Sequence, residues 1–214
     1  MAPAARSADT RRRLLEAGLE VFAREGYRKA TIQQICSRAG ANIAAANYHF
    51  GGKEGLYTAV FAHASRRASE APNPEPRPGA TPEERLRTHV TSFLTRLLDP
   101  ERPAWMAQLI AREMIEPTPA LDRLVRRRMR ANHAQIAAAI RDLLGPKPSA
   151  ETVQLCTLSV VAQCVFYRNS APVISRLYPD LVPSREVERI ANHVTRFSVA
   201  AVRALASTAN GDSQ

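Results

Sequence analysis

Two helix starts, each followed within a few residues by a glycine stop, constrain this chain more than any other feature. Thr31 can cap a helix over Ile32–Ala39 that ends at Gly40. Asn42 can cap another from Ile43 to about His49, before Gly51-Gly52 breaks the chain. A longer helix precedes them, because Leu14, Leu15, Ala17, Gly18, Val21 and Phe22 recur at helical spacing until Gly26. Another follows, with Leu56, Val60 and Phe61 on one side. A long helix and then two short ones joined by a tight Gly-containing turn are the elements of a helix-turn-helix. The spacing predicts that Ile35, Ala39, Ile43 and Ala46 face inward. Cys36 is small enough for the helix crossing, and Gly40 tolerates the positive φ the turn demands.

The second helix of such a unit enters the DNA major groove, and its outward residues suit that place. Asn42 and the helix N-terminus present donors to a phosphate. Ala44 and Ala45 let the backbone come close and offer a methyl to thymine, and Asn47 can make a bidentate contact to adenine. Tyr48 and His49 offer donors to the phosphate backbone, Lys53 adds a charge, and Thr31 can place its hydroxyl on a phosphate. Arg6, Arg11, Arg12 and Arg13 read either as a basic arm for phosphate or minor groove, or as a solvated helix face.

Charge agrees. The 214 residues carry a formal net charge of +10, which suits polyanions. Residues 1–70 hold 11 Lys/Arg against 6 Asp/Glu, and the rest 19 against 14, so the front third is the more densely positive part. Cys36, Cys156 and Cys164 form no C-x-x-C pair and lie near no His at metal-ligand spacing, so neither a disulfide framework nor a metal site is expected. No stretch approaches the ~18 apolar residues of a membrane span and the N-terminus lacks a signal-peptide core; the expectation is a cytoplasmic protein with no membrane partner. No phosphate loop, nucleophile elbow or metal-binding His/Glu pair appears, so neither an enzyme nor a cofactor is expected.

Downstream, helices continue without a period-2 strand run. Ala71–Pro82 is a Pro-rich linker or loop. Thr81-Pro82-Glu83-Glu84 starts a helix to about Leu98. Pro103 opens another that ends near Glu116, and Thr118-Pro119 starts a long one to Leu144. Ser149 caps a helix whose body, VQLCTLSVVAQCVFY, is apolar on nearly every side and so needs burial on two sides. RNSAPVISRLYPDLVP reads as looser. A last helix, Ser184 to Ala206, places Val187, Ile190, Ala191, Val194, Phe197, Ala201 and Leu205 along one stripe. The expected organisation is all-α: a helix-turn-helix domain over 1–52, a linking helix over 53–70, the linker over 71–82, a second domain over 83–207 and a disordered tail over 208–214. In that second domain Trp105, Met106, Leu109 and Glu113, with His133, Gln163, Phe166 and Tyr167, can wall a ligand pocket or can simply be core.

Residues 9–57 resemble the N-terminal domain of TetR-family transcriptional regulators. The family's T-x-x-x-I-A-x-x-A-G-V-S, then Y-x-F, then S-K-E-x-L stands here as Thr31-Ile32-Gln33-Gln34-Ile35-Cys36-Ser37-Arg38-Ala39-Gly40-Ala41-Asn42, then Tyr48-His49-Phe50, then Gly52-Lys53-Glu54-Gly55-Leu56. Cys36, Ala41, Asn42 and Gly52 depart from the pattern, all small or cap-compatible. AREMIEPTPAL and AQCVFYRNSAP resemble the CecR-like branch. The resemblance implies a repressor, homodimeric through its last two helices, on a palindromic double-stranded operator. A small apolar or amphipathic effector would release it, with the linking helix as the element that moves. The alternatives are a DNA-binding protein of the same fold under partner control or none, and a helical ligand-binding protein or enzyme whose basic charge is incidental.

Overall fold

The computed structural model describes residues 3–67, 75–101 and 104–211. Part of the expected linker (71–74), Pro103 and the last residues of the expected tail (212–214) lie outside them, as does the side chain of Met106. No strand occurs among the described residues. The chain forms two compact units: residues 1–70 with 101–127, and 71–100 with 128–214. Residues 101–127 were expected in the second domain, yet they cluster with the N-terminal helices, for reasons given below with Arg112 and Glu113.

The first unit holds α1 (Pro3–Lys29, broken at Gly26), α2 (Ile32–Ala39), α3 (Ile43–Phe50), α4 (Lys53–Arg67), α6 (Ala104–Ile115) and α7 (Pro119–Leu124). The intervening α5 (Pro82–Leu97) belongs to the second unit. Leu14 and Phe22 of α1, Ile35 of α2, and Leu56 and Val60 of α4 are fully buried together with Ala46 of α3. Phe22 stands edge-on to Tyr57 at 4.8 Å and 82°, the geometry that aromatic quadrupoles favour.

The second unit packs α5, α8 (Arg130–Leu144), α9 (Ala150–Asn169) and α11 (Val187–Gly211) around one core, with the short α10 (Ala171–Leu177) beside α9. Leu86, Val90 and Leu94 of α5 meet Ile136 and Ile140 of α8, Val160 of α9 and Val194 of α11. α5 starts as its sequence dictates: Thr81 Oγ1 accepts from Glu84 N at 3.2 Å and the Glu84 carboxylate accepts from Thr81 N at 2.8 Å, closing a capping box.

Five expectations are revised. The long helix from Pro119 to Leu144 is split by a π-turn over Val125–Met129; the Arg126–Arg128 run supplies no apolar residue to carry a core-facing stripe across it. The segment thought looser contains α10, announced by Ser170 and a proline in its first turn. On α11, Phe197 is 61% exposed, and Ala201 and Leu205 are exposed too. The core side passes instead through Thr195, Ser198, Val199 and Val202. Buried Ser198 is satisfied by Gln163 Nε2 at 3.2 Å, so hydroxyl residues occupy places that an apolarity count gives to Phe197. α11 also runs on to Gly211, with Ser207 and Thr208 hydroxyls donating back to the Arg203–Leu205 carbonyls. Finally, α9, at 20 residues and a mean hydropathy of 1.2, is long and apolar enough to cross a membrane by length and composition alone. Its Val153, Cys156, Val160 and Cys164 are nevertheless packed in the core.

One polar group in this core makes stability depend on pH. His89 is buried, and burial, reinforced by the charges of Arg85 and Arg96, holds its pKa below the ordinary 6.5. As pH falls through 6.5 the unfolded chain takes a proton that folded His89 refuses, so stability present above that pH is lost on acidification. Urea denaturation at pH 7.5 and 5.5 should show this loss, and His89→Leu should reduce it.

Candidate nucleic-acid interface

The α2–α3 pair is built by short-range chemistry. Thr31 Oγ1 accepts from Gln34 N at 3.1 Å, and Gln34 Oε1 accepts from Thr31 N at 2.8 Å. α2 ends where Gly40 adopts φ +59°, and Ala41 N donates to Cys36 O at 2.9 Å. Arg13 of α1 reaches the same corner, its Nη1 donating to the carbonyls of Ala39 at 2.8 Å and Gly40 at 3.3 Å. This places a cation on the carbonyl end of α2, where the helix dipole favours it. Cys36 lies buried at the crossing, its Sγ 3.5 Å from Asn42 O, and burial pushes its thiol pKa up. Asn42 Oδ1 accepts from Ala45 N at 2.7 Å and so starts α3.

Of α3's eight residues, only Ala46 is buried. Asn42, Ala44 and Asn47 are exposed, Ala45 and His49 half-buried, and Tyr48 is 83% exposed. Ile43 was expected to face inward, but it is 47% exposed. It occupies the first position of α3, and one turn on it is Ala46 that fills the contact with α2. Thr31 is exposed, its hydroxyl already shared with Gln34 Oε1 at 3.1 Å. Lys53 is half-buried: its Nζ donates to Arg28 O at 3.1 Å and stands 4.8 Å from the centre of the Tyr27 ring.

The N-terminal arginines lie on α1. Arg12 pairs with Asp9 at 2.6 Å and Glu16 at 3.1 Å, Arg13 pairs with Asp9 at 3.2 Å, and the Arg11 guanidinium covers the Phe50 ring at 5.3 Å. The Arg12 guanidinium in turn holds the Asp9 carboxyl below its usual range. Of the two readings of these residues, a helix face agrees with this geometry.

The residues expected to wall a single pocket fall into both units. In the first, Leu109 is core, Trp105 is half-buried and Glu113 is only 1% exposed. Glu113 helps line a cavity of about 320 Å³ with Tyr27, Tyr57, Arg112, Thr118 and Pro119. In the second, Gln163, Phe166 and Tyr167 line one of about 510 Å³ with Ile174, Tyr178, Leu181 and His193. His133 is half-buried, its Nδ1 3.0 Å from Met129 O. Sequence reasoning missed Tyr27, Tyr57, Arg112 and Thr118. The available signal was the adjacent charged pair Arg112-Glu113 inside an apolar helix, five residues before the Thr118 cap.

Comparisons with known proteins fit this geometry. Residues 82–202 match the family described as HTH-type transcriptional dual regulator CecR, C-terminal domain, and residues 14–60 match bacterial regulatory proteins, tetR family. Over 59 residues the chain is 42% identical to the HTH-type transcriptional regulator SrpR of Pseudomonas putida, a match that spans 28% of either protein. Over 168 residues, 74% of this chain and 75% of the other, it is 24% identical to the HTH-type transcriptional dual regulator CecR of Shigella flexneri. The crystal structure of HlyIIR, a hemolysin II transcriptional regulator, shares the fold at a TM-score of 0.60 and 24% identity, over 88% of this chain and 98% of that one. A helix-turn-helix whose second helix buries one residue thus precedes a helical domain of matching kind, and the chain belongs to the TetR family of DNA-binding transcriptional regulators, with a C-terminal domain of the CecR type.

Proposed function

We propose that the protein is a cytoplasmic repressor that holds a palindromic operator as a homodimer and is released by a small apolar or amphipathic effector. The observation that carries the DNA-binding half is α3, which buries only Ala46 and leaves Ile43, Ala44, Asn47 and Tyr48 exposed to a partner. In this reading Asn47 reads adenine, and Ala44 and Ala45 approach thymine methyls, with exposed Ile43 adding apolar contact. Thr31, Asn42, Tyr48, His49 and Lys53 position the helix on phosphates. The homodimer forms through α9 and α11, where Leu155, Leu158 and Phe166 are exposed on one helix and Phe197 and Leu205 on the other. Exposed apolar side chains on two helices that pack against each other suit an interface, and burial there supplies the second covered side that α9 needs. The two copies of α3 then enter successive major grooves about 34–36 Å apart. Effector candidates are the cavity walled by Gln163, Phe166 and Tyr167, whose aromatic rings suit an apolar ligand, and the one beside Glu113.

Binding-site selection from random duplexes tests this. The expected product is an inverted repeat with half-sites about 10–10.5 base pairs apart, bound with an affinity that falls steeply with salt. Compounds that release the selected duplex then identify the effector class. A pool that never enriches, or enriches for direct single sites only, sinks the reading. The CecR relative is by its name a dual regulator, so a second reading is that occupancy activates some promoters. Reporter transcription with and without the protein separates the two signs.

A further inference from the structure

Glu113 is buried, and the three partners holding its carboxylate are neutral donors: Tyr57 Oη at 2.5 Å, Thr118 Oγ1 at 2.9 Å and Thr118 N at 3.0 Å. Three donors from two residues converge on this one buried carboxyl group, which therefore ties the Tyr57 ring to the Thr118 turn. That ring is also 4.9 Å from Tyr27, centre to centre, and Tyr27 carries the Lys53 ammonium on its face at 4.8 Å. Attraction between a cation and an aromatic face ties the ammonium's position to that of the ring.

The other end of the arrangement is fixed from the same turn of α6. Arg112 donates through Nε to Ala23 O at 2.9 Å and through Nη2 to Arg24 O at 2.5 Å. These are carbonyls of α1 just before the Gly26 break, and the chain beyond that break carries Tyr27 and the Arg28 carbonyl that accepts from Lys53. Adjacent residues of α6 therefore hold both supports of Lys53: Arg112 through the end of α1, and Glu113 through Tyr57 of α4. An ammonium has three donors; the Arg28 carbonyl takes one and leaves others for an oxygen outside the fold.

We propose that Glu113 and Tyr57 are positioning residues for DNA binding, setting through the Tyr27 ring the place where Lys53 presents its ammonium to a phosphate. The proposal rests on the assignment of Lys53 as a phosphate contact. A ring that merely fills the core would contribute to folding and leave Lys53 untouched, and the two roles differ in whether the Tyr57 hydroxyl and the Lys53 charge are coupled.

A double-mutant cycle measures that coupling. Operator affinity is determined at two or more salt concentrations for the full chain and for Lys53→Gln, Tyr57→Phe and the pair; Tyr57→Phe removes one hydroxyl and keeps the ring. Lys53→Gln should weaken binding about tenfold and lower the salt slope by about one phosphate contact. Tyr57→Phe should weaken it about threefold in the presence of Lys53 and have no effect once Lys53 is gone. An equal loss from Tyr57→Phe with or without Lys53, or no loss at all, overturns the proposal while the Lys53 assignment stands. If Lys53→Gln alone changes neither affinity nor salt slope, the assignment fails and the proposal falls with it. Should Tyr57→Phe not fold, Thr118→Val, which removes another donor from Glu113, runs the same cycle with the same outcomes.

Discussion

Gly55→Ala lowers the stability of the protein by about 3 kcal/mol or more, the upper end of what overpacking costs. Helix propensity alone argues the opposite sign, since alanine in a helix interior is favoured over glycine by roughly 1 kcal/mol. The steric term wins because a Cβ on Gly55 lies 1.8 Å from the Phe50 carbonyl oxygen and 3.0 Å from its carbon. Those are backbone atoms, so no rotamer change relieves the contact; the end of α3 must move away from the first turn of α4. At this chain length the loss corresponds to a fall of roughly 6–12 °C in Tm, and thermal or urea denaturation reads it directly. Gly51→Asn is the control: it adopts φ +71° with open space around its Cβ, a conformation asparagine tolerates, and should change little. An alanine variant as stable as the parent would show that α3 and α4 do not meet as described.

In the proposed homodimer, Leu158→Arg combined with Phe197→Arg should leave a monomer and weaken operator binding by about 100-fold or more, the scale set by loss of bivalency. Both side chains are exposed within a single copy, so the substitutions cost little inside the fold itself. In an interface each guanidinium would be buried against apolar surface without a partner, a cost of several kcal/mol. A monomer holds one half-site at a time, and the effective concentration that couples the second half-site vanishes. Sedimentation velocity at micromolar concentration distinguishes the states. A variant that still sediments as a dimer moves the interface away from α9 and α11.

Where local chemistry decides structure, the sequence was explicit. Thr31, Asn42, Thr81, Thr118 and Ser149 each cap the helix expected of them, because a cap is a bond between residues two or three apart. The outward places of Asn42, Ala44, Asn47 and Tyr48 were legible from helical spacing, whereas Ala45 and His49 are half-buried and Ile43 is exposed. What was not legible depends on contacts between distant segments. Phe197 and Ser198 are neighbours on α11, and only the helices packed against them decide that the serine is inside and the phenylalanine outside. Trp105, Leu109 and Glu113 were grouped with the second domain on chain order, whereas Arg112 and Glu113 bind the carbonyls of α1 and the hydroxyl of Tyr57. Lys53 was read as a charge in the DNA-facing set with no account of what holds it; its supports come from Tyr27 and Arg28, which a helix-by-helix reading treats separately.

The central claim is that the exposed face of α3 reads DNA, and its most direct test is the affinity of Asn47→Ala combined with Tyr48→Ala for the selected operator. Neither side chain is buried, so the melting temperature should stay within a few degrees of the parent. Loss of a bidentate base contact and a phosphate contact should weaken binding about 100-fold and relax the preference at one base pair of each half-site. Unchanged affinity and unchanged base preference, in a protein that melts like the parent, would contradict the assignment of α3 as the reading helix.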